Sequence, residues 1–152
     1  MKAVAIDLDG ALVDTRPLWD AWLESASGVL GIRVEELMAD RGEAAVELDR
    51  LGAGNWRTLL ARFGEDRAAV FLRRDAGVSA ALRALGSSGR RVGVFTDAPE
   101  ELARIALAQI GVGSAALETG TGALDRLLVS LDDATVIRTR AELARYASTP
   151  AP

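Results

Sequence analysis

Two aspartates near the start of the chain, Asp7 and Asp9, have the type and spacing needed for carboxylate chemistry. They end a short apolar run containing the β-branched residues Val4 and Ile6, a pattern typical of a buried strand that enters a loop. Residues two apart on an extended backbone point to the same side, so both carboxylates can face one site. Two close carboxylates repel each other unless a proton or a cation separates them. Because Mg²⁺ prefers oxygen ligands and often binds together with phosphate, the pair predicts a site for a metal and a phosphorylated ligand.

The composition narrows the chemistry further, because the chain contains no His and no Cys. A thiolate nucleophile, a Ser-His-Asp triad, an imidazole base and a thiolate or imidazole zinc site are therefore excluded. Disulfides are impossible as well, which is consistent with a reducing compartment. Carboxylates, hydroxyls, arginines, backbone amides and a hard metal ion remain as the available catalytic groups.

Charge and hydropathy predict a cytoplasmic protein for which nucleic acid and membranes are not partners. The net charge is −4, and the basic residues are spread among acids rather than gathered on one face, so nucleic acid is not expected as a partner. The N-terminal segment lacks the apolar stretch of a signal peptide, and no apolar run approaches the ~18 residues of a membrane span. We expect a cytoplasmic monomer or homodimer without a membrane partner.

Hydrophobic periodicity predicts strands that alternate with helices. Strands are predicted at about 2–7, 91–95, 115–119 and 135–139. Helices are predicted at about 16–30, 34–51, 55–63, 66–73, 76–86, 99–110, 123–131 and 141–146. This alternation predicts an α/β fold, a three-layer Rossmann-like core with a parallel sheet, in which ligands bind at the carboxyl ends of the strands. The aromatic residues between the first two strands are predicted to form the core of a small helical bundle; they are Trp19, Trp22, Trp56, Phe63 and Phe71.

The stretch Ile6-Asp-Leu-Asp-Gly-Ala-Leu-Val-Asp-Thr15 resembles the first motif of the haloacid dehalogenase (HAD)-like hydrolase superfamily. It is most similar to members with a helical cap after the first strand, such as phosphoglycolate phosphatases. The helical insertion that follows and a second strand ending in Phe95-Thr96-Asp97 agree with that pattern. The resemblance implies a HAD-like core, a small helical cap inserted after the first strand, and a disordered tail. Their predicted bounds are 1–15 with 79–148 for the core, 16–78 for the cap and 149–152 for the tail.

The resemblance also implies roles for individual residues. Asp7 would be the nucleophile that accepts the phosphoryl group, and Asp9 the general acid and then base. Both are predicted metal ligands for Mg²⁺, Asp9 through its backbone carbonyl. Thr96, Gly10 and Asp97 are predicted to bind phosphate, although a helix cap is an equal interpretation of Thr96 taken alone. Gly10 also allows the chain to turn tightly. Asp97 stands where relatives commonly have Asn, which adds negative charge beside the phosphate.

The last forty residues depart from the pattern of the superfamily. A lysine normally steadies the aspartyl-phosphate, but Lys2 is the only lysine, and the strand places it about 17 Å from Asp7. An arginine could substitute for it, with Arg126, Arg138 and Arg140 as the candidates. The acidic pair expected after the fourth strand is absent, because that strand is followed by Arg138-Thr-Arg140. Asp132-Asp133 would replace the pair only if the preceding segment were a strand, and otherwise ends a helix.

A second phosphate feature is conceivable at Thr119-Gly-Thr-Gly122, although a plain connecting turn is the more ordinary interpretation of this segment. Two functions follow from these expectations. The first is a Mg²⁺-dependent phosphohydrolase that acts on a small phosphorylated metabolite through an aspartyl-phosphate. The alternative is a catalytically weakened HAD-like module with a binding or regulatory role.

Overall fold

The computed structural model describes residues 2–37, 39–52, 54–113 and 115–149. Its strands are β1 (Ala3–Asp7), β2 (Val92–Thr96), β3 (Ala116–Thr119) and β4 (Ala134–Ile137). Its α-helices are α1 (Arg16–Leu30), α2 (Arg41–Arg50), α3 (Trp56–Phe71), α4 (Ala76–Ser87), α5 (Glu100–Ile110), α6 (Ala123–Leu131) and α7 (Arg140–Ser148). In these ranges strands and helices alternate after α4, as the periodicity predicts.

The four strands form one parallel sheet in the order β3-β2-β1-β4. In the register of this sheet, Asp7 lies level with Phe95, and Thr96 lies level with Thr119. Ile6 pairs with Ile137, so the residue after β4 follows at the level of Asp7. The carboxyl ends of all four strands therefore meet at one edge, and the parallel sheet confirms the predicted fold.

Both faces of the sheet are covered, which is why β1 is apolar almost throughout. Alternate residues of β1 enter two hydrophobic clusters: Val4 and Ile6 face α4, α5 and α7, whereas Ala3 and Ala5 face α6. Small residues on the α6 side permit close packing, and a Cβ on Gly93 would lie 2.7 Å from a methyl group of Leu127. The molecule thus has three layers, with the sheet between two layers of helices.

Helices α1, α2 and α3 are inserted after β1, and two predicted boundaries in this insertion are wrong. The segment predicted as one helix at 34–51 consists of a 3₁₀ turn, Val34–Glu36, and the separate helix α2. Asp40 begins α2 by accepting a hydrogen bond from the Glu43 amide at 2.9 Å. The helices predicted at 55–63 and 66–73 are one continuous helix, α3. Gly64 does not break it but lets α3 approach α5, since a Cβ there would lie 2.9 Å from Ile105.

The aromatic side chains of the insertion lie in the core, as predicted. Trp22 is 1% exposed, and its ring lies 5.2 Å from that of Trp19 and 6.0 Å from that of Trp56. Phe63 and Phe71 are half-buried against the same cluster, which continues from the insertion to the sheet residues Val4, Ile6 and Val94. The division into a core at 1–15 with 79–148 and a cap at 16–78 stays a prediction.

In the described part of the chain, no helix is long and apolar enough to cross a membrane. Of the tail predicted to be disordered, 149–152, all but Thr149 lies outside the described residues. Thr149 ends α7, and its hydroxyl donates to the carbonyl of Arg145 at 2.9 Å.

Candidate active site

The chain turns sharply where β1 ends, in a π-type turn at Leu8–Leu12. The Asp9 amide donates to the Asp7 carboxylate at 3.2 Å, which holds the first carboxylate against the turn. Gly10 has φ of +120°, and a Cβ there would lie 2.7 Å from the carbonyl oxygen of Arg138. Gly10 is required for both reasons, because its backbone is left-handed and the end of β4 touches it. Its predicted contact with phosphate stays a prediction.

Asp9 is buried and accepts four hydrogen bonds from side chains and backbone. Thr15 donates from its amide and from its hydroxyl, both at 2.7 Å, and the Thr96 hydroxyl donates at 2.9 Å. The fourth donor is the guanidinium of Arg41, which forms a salt bridge with the second carboxylate oxygen. Burial alone would raise the pKa of Asp9, but the charge of Arg41 and the bonds from Thr15 outweigh it and lower the pKa. Asp9 is therefore an ionised, internally paired carboxylate.

Arg41 is a residue of the candidate site that the sequence analysis missed. It is the first residue of α2, is 2% exposed, and reaches the carboxyl edge of the sheet from the insertion. Its backbone amide donates to Asp97 at 2.9 Å, and Nη2 and Nε donate to the other Asp97 oxygen at 2.8 Å and 3.1 Å. Nη1 donates to the Thr15 hydroxyl at 2.6 Å. Burial lowers the pKa of Arg41, but Asp9 and Asp97 outweigh it and raise the pKa.

The first turn of α2 is pressed against the loop between β3 and α6, and this contact positions Arg41. A Cβ on Gly42 would lie 2.3 Å from the Thr121 amide nitrogen, so only glycine fits there without a shift of backbone. The Thr121 hydroxyl also donates to Asp40 at 3.3 Å. The loop at 119–122, considered from sequence as a phosphate feature, thus lines the site and packs against the first turn of α2.

Asp7 has a different environment from Asp9, although both lie in the same turn. Burial and the nearby charge of Asp9 raise the pKa of Asp7 from 3.8 to about 6. The Asp9 amide, Arg138 and Arg16 act in the opposite direction and lower the pKa of Asp7. Arg41 makes no hydrogen bond to Asp7 in the described structure, so the predicted nucleophile is less constrained than the predicted acid.

A cavity of about 370 Å³ opens beside Asp7. Its wall includes five aspartates, which are Asp7, Asp9, Asp40, Asp97 and Asp125. Among the described residues that line it, Arg16 is the one basic residue. Thr96, the loop at 120–122 and the start of α6 complete the wall. An anionic ligand in this cavity would meet a mostly negative surface.

The basic side chains considered for completing the site lie in different places. Arg138 lies close enough to Asp7 to lower its pKa, and its guanidinium covers the Phe95 ring at 5.7 Å. Arg126 instead bonds Glu118 and the carbonyls of the loop at 119–121, and Arg140 pairs with Asp75 at 3.5 Å. Lys2 precedes β1, at the end of the strand away from Asp7. Of the three arginines considered, only Arg138 acts on the predicted nucleophile.

The donor set does not suit a resident Mg²⁺ ion in this arrangement. The predicted ligands are the Asp7 carboxylate and the Asp9 carbonyl, and Arg138 stands after β4 where a further acid would be needed to complete the set. Asp132 and Asp133 follow α6 and precede β4, at the opposite end of the sheet, so the alternative in which that segment is a strand is wrong. Over residues 2–37, 39–52, 54–113 and 115–149, no three acidic side chains form a group that could hold a metal. Mg²⁺ binding by Asp7 and Asp9 therefore stays a prediction that these contacts do not favour.

Fold and site together define a class: a three-layer α/β domain with helices inserted after its first strand and a carboxylate turn at the end of that strand. Known structures agree. CbbY from Rhodobacter sphaeroides in complex with phosphate matches with a TM-score of 0.66 at 17% identity, over 100% of this chain and 87% of that one. A hydrolase from Pseudomonas syringae matches with a TM-score of 0.64 at 15% identity, over 97% of this chain and 81% of that one.

A HAD phosphatase from Thermococcus onnurineus is similar to the chain over 99% of both lengths, with a TM-score of 0.59 and 18% identity. The chain therefore has the fold of the HAD-like hydrolases and phosphatases, as the first motif predicts. No protein-family model matches the sequence, and no curated protein does.

Proposed function

We propose that this chain is a catalytically weakened HAD-like module with a binding or regulatory role. The observation that supports the proposal is the salt bridge of buried Arg41 with Asp9, the carboxylate that would have to serve as general acid. A general acid must hold a proton near the working pH and must be able to reach the leaving group. The lowered pKa of Asp9 and its bonds from Thr15, Thr96 and Arg41 oppose both requirements.

The electrostatics of the cavity support the same proposal. Phosphoryl transfer is promoted mainly by positive charge positioned around the phosphate oxygens. Here the positive charge of Arg41 is directed at Asp9 and Asp97, and five aspartates line the cavity. A phosphate ester would therefore be repelled more than it is stabilised.

A Mg²⁺-dependent phosphohydrolase is the second candidate, and Asp7 is the observation that favours it. The carboxylate of Asp7 lines the cavity and has no salt bridge among the described residues. Its position at the end of β1 suits a nucleophile that takes a phosphoryl group from a small phosphorylated metabolite. In this candidate Thr96 and Asp97 border the phosphate, and Arg41 has to withdraw first.

An assay of aryl phosphate hydrolysis with MgCl₂ distinguishes the two candidates. We expect the chain to release aryl alcohol at a rate close to background, and Asp7→Asn to leave that rate unchanged. Asp20→Asn is the matched control, because Asp20 is an exposed carboxylate on α1. Mg²⁺-dependent turnover that falls at least tenfold in Asp7→Asn but not in the control would contradict the proposal and establish the phosphohydrolase.

A further inference from the structure

The Nη2 atom of Arg41 is surrounded by three oxygens, much as a hard cation would be. One belongs to Asp9, the second to Asp97 at 2.8 Å, and the third to the Thr96 hydroxyl at 3.5 Å. All three side chains follow or end neighbouring strands, β1 and β2. The sheet thus brings together two carboxylates and one hydroxyl around a single point of positive charge.

We propose that the guanidinium of Arg41 is the resident cation of this oxygen cluster and excludes a divalent metal ion from it. The inference rests on the proposed function, since it takes the pairing of Arg41 with Asp9 as the resting state of the site. It concerns the side-chain oxygens of Asp9 and Asp97, not the Asp7 carboxylate and the Asp9 carbonyl predicted to bind Mg²⁺. It also explains Asp97, the acid that stands where relatives commonly have Asn. The additional negative charge serves Arg41, which bonds both of its oxygens.

The bonding of Arg41 leaves little capacity for an external anion. Nε faces Asp97, Nη1 faces Thr15, and Nη2 faces Asp9, Asp97 and Thr96. A guanidinium has five N–H donors in a fixed planar arrangement, so these acceptors use most of its capacity. The Arg41 side chain therefore holds the start of α2 against the sheet, and few of its donors remain to bind a substrate.

The charges around Arg41 predict how Mg²⁺ binding should change when this side chain is removed. Asp9 and Asp97 together contribute two negative charges, which Arg41 half neutralises. If Arg41 is replaced by an uncharged side chain of similar length, two carboxylates and a hydroxyl remain around the vacated position. That set of oxygens carries the charge and the donor type that Mg²⁺ prefers.

The test is the melting temperature of the folded chain during titration with MgCl₂ at constant ionic strength. We expect the unchanged chain to show no shift at 10 mM MgCl₂. Arg41→Met should melt roughly 10 °C lower without metal, because a buried pair is broken. MgCl₂ should then raise its melting temperature by about 4 °C, the size expected for a ligand present at ten times its dissociation constant.

Arg104→Met is the matched control, since Arg104 is exposed on α5 and pairs with Glu100 at 2.7 Å. It should melt close to the unchanged chain and show no response to MgCl₂. A destabilised Arg41→Met that MgCl₂ does not rescue would show that Arg41 is only a structural ion pair, which overturns the proposal. An equal Mg²⁺ response in the unchanged chain would overturn it as well.

If Arg41→Met does not fold, Arg41→Gln provides the same test, because its amide carries no charge but can still donate hydrogen bonds to the carboxylates. Mg²⁺ should then raise its melting temperature by about 4 °C, and no response would contradict the inference. These measurements report binding of the metal alone. They therefore remain decisive even if the hydrolysis assay shows the chain to be an active phosphatase.

Discussion

At the scale of residues, the two aspartates of the first motif have opposite protonation behaviour. Asp9 is paired with Arg41 and has a lowered pKa, whereas burial and the charge of Asp9 raise the pKa of Asp7 to about 6. The turn after β1 therefore contains one carboxylate that is stable as an anion and one that keeps its proton to a higher pH than an ordinary aspartate. Environments that separate two pKa values in this way are common where carboxylates share a site.

The raised pKa of Asp7 predicts a specific pH dependence of stability. Between pH 3.8 and about 6, folded Asp7 keeps a proton that the unfolded chain has released, so its contribution to stability falls as pH rises through this window. Asp7→Asn removes the titration. We expect its melting temperature relative to the unchanged chain to increase from pH 4 to pH 7, as measured by circular dichroism.

Asp20→Asn serves as the control, because an exposed carboxylate should give a difference that does not vary over this range. A constant difference for Asp7→Asn between pH 4 and pH 7 would show that Asp7 titrates as it does in an unfolded chain. The raised pKa, and with it the burial of Asp7 beside Asp9, would then be wrong.

The sequence was sufficient to predict where Asp7, Asp9 and Thr96 meet, because short strands in a parallel sheet align their carboxyl ends. It was not sufficient to find Arg41, which lies 32 positions from Asp9 along the chain. No local pattern distinguishes it from the other arginines of the chain. Asp97 nevertheless provided a signal. It adds a third acid to the predicted site, and a cation from elsewhere in the chain is needed to balance that charge.

At the scale of elements, α2 is the helix that carries Arg41 into the site. Its first turn is held by Asp97 through Arg41, by the Asp40 cap and by the contact of Gly42 with the loop at 120–122. The three contacts act on neighbouring residues of one helical turn. A change at any of them should therefore be transmitted to Arg41.

Gly42→Ala should destabilise the fold, whereas Gly28→Ala should stabilise it. A Cβ at Gly42 would lie 2.3 Å from the Thr121 nitrogen, and such overpacking costs about 1–3 kcal/mol. A Cβ at Gly28, within α1, has no described atom within 4 Å, so alanine should add roughly 0.5–1 kcal/mol of helix stability. Urea unfolding at pH 7 measures both values, and a gain of stability in Gly42→Ala would refute the packing of α2 against the loop.

The errors in predicted helix boundaries have two physical origins. Gly64 was interpreted as a break because glycine weakens helices, yet the close approach of α3 to Ile105 on α5 makes glycine favourable there. This tertiary contact is not visible in a local window of sequence. The 34–51 segment was predicted as one helix because its hydrophobic pattern continues through Asp40, although the cap that Asp40 forms with the Glu43 amide is a local feature.

At the scale of the whole molecule, one hydrophobic cluster extends from the three tryptophans to the sheet. Helix α3 contacts α1 on one side and α5 on the other, so the inserted helices are connected to the core through apolar side chains. The parallel sheet and the alternation of strands with helices followed from the sequence pattern, whereas the strand order did not. The extent of this shared core did not, because it depends on how α3 meets α5.

The continuous cluster predicts that the insertion and the sheet unfold together. All three tryptophans lie in the insertion, so their fluorescence reports on it alone, whereas far-ultraviolet circular dichroism reports on every helix and strand. We expect the two signals to show the same urea midpoint, as a two-state transition requires. A fluorescence transition at lower urea would instead show that residues 16–78 form an independently unfolding cap.

The order of strands has one more consequence. Because β4 lies beside β1, the side chain at position 138 projects from the edge where Asp7 ends, and the Gly10 turn touches the backbone there. Inverting the charge at this single position would set a new acid next to Asp7 without altering any backbone contact. On the proposal made for Arg41, we therefore expect the side chains at positions 41 and 138 to decide whether this scaffold holds a divalent ion, because the strands and turns that would orient the ligands are already in place.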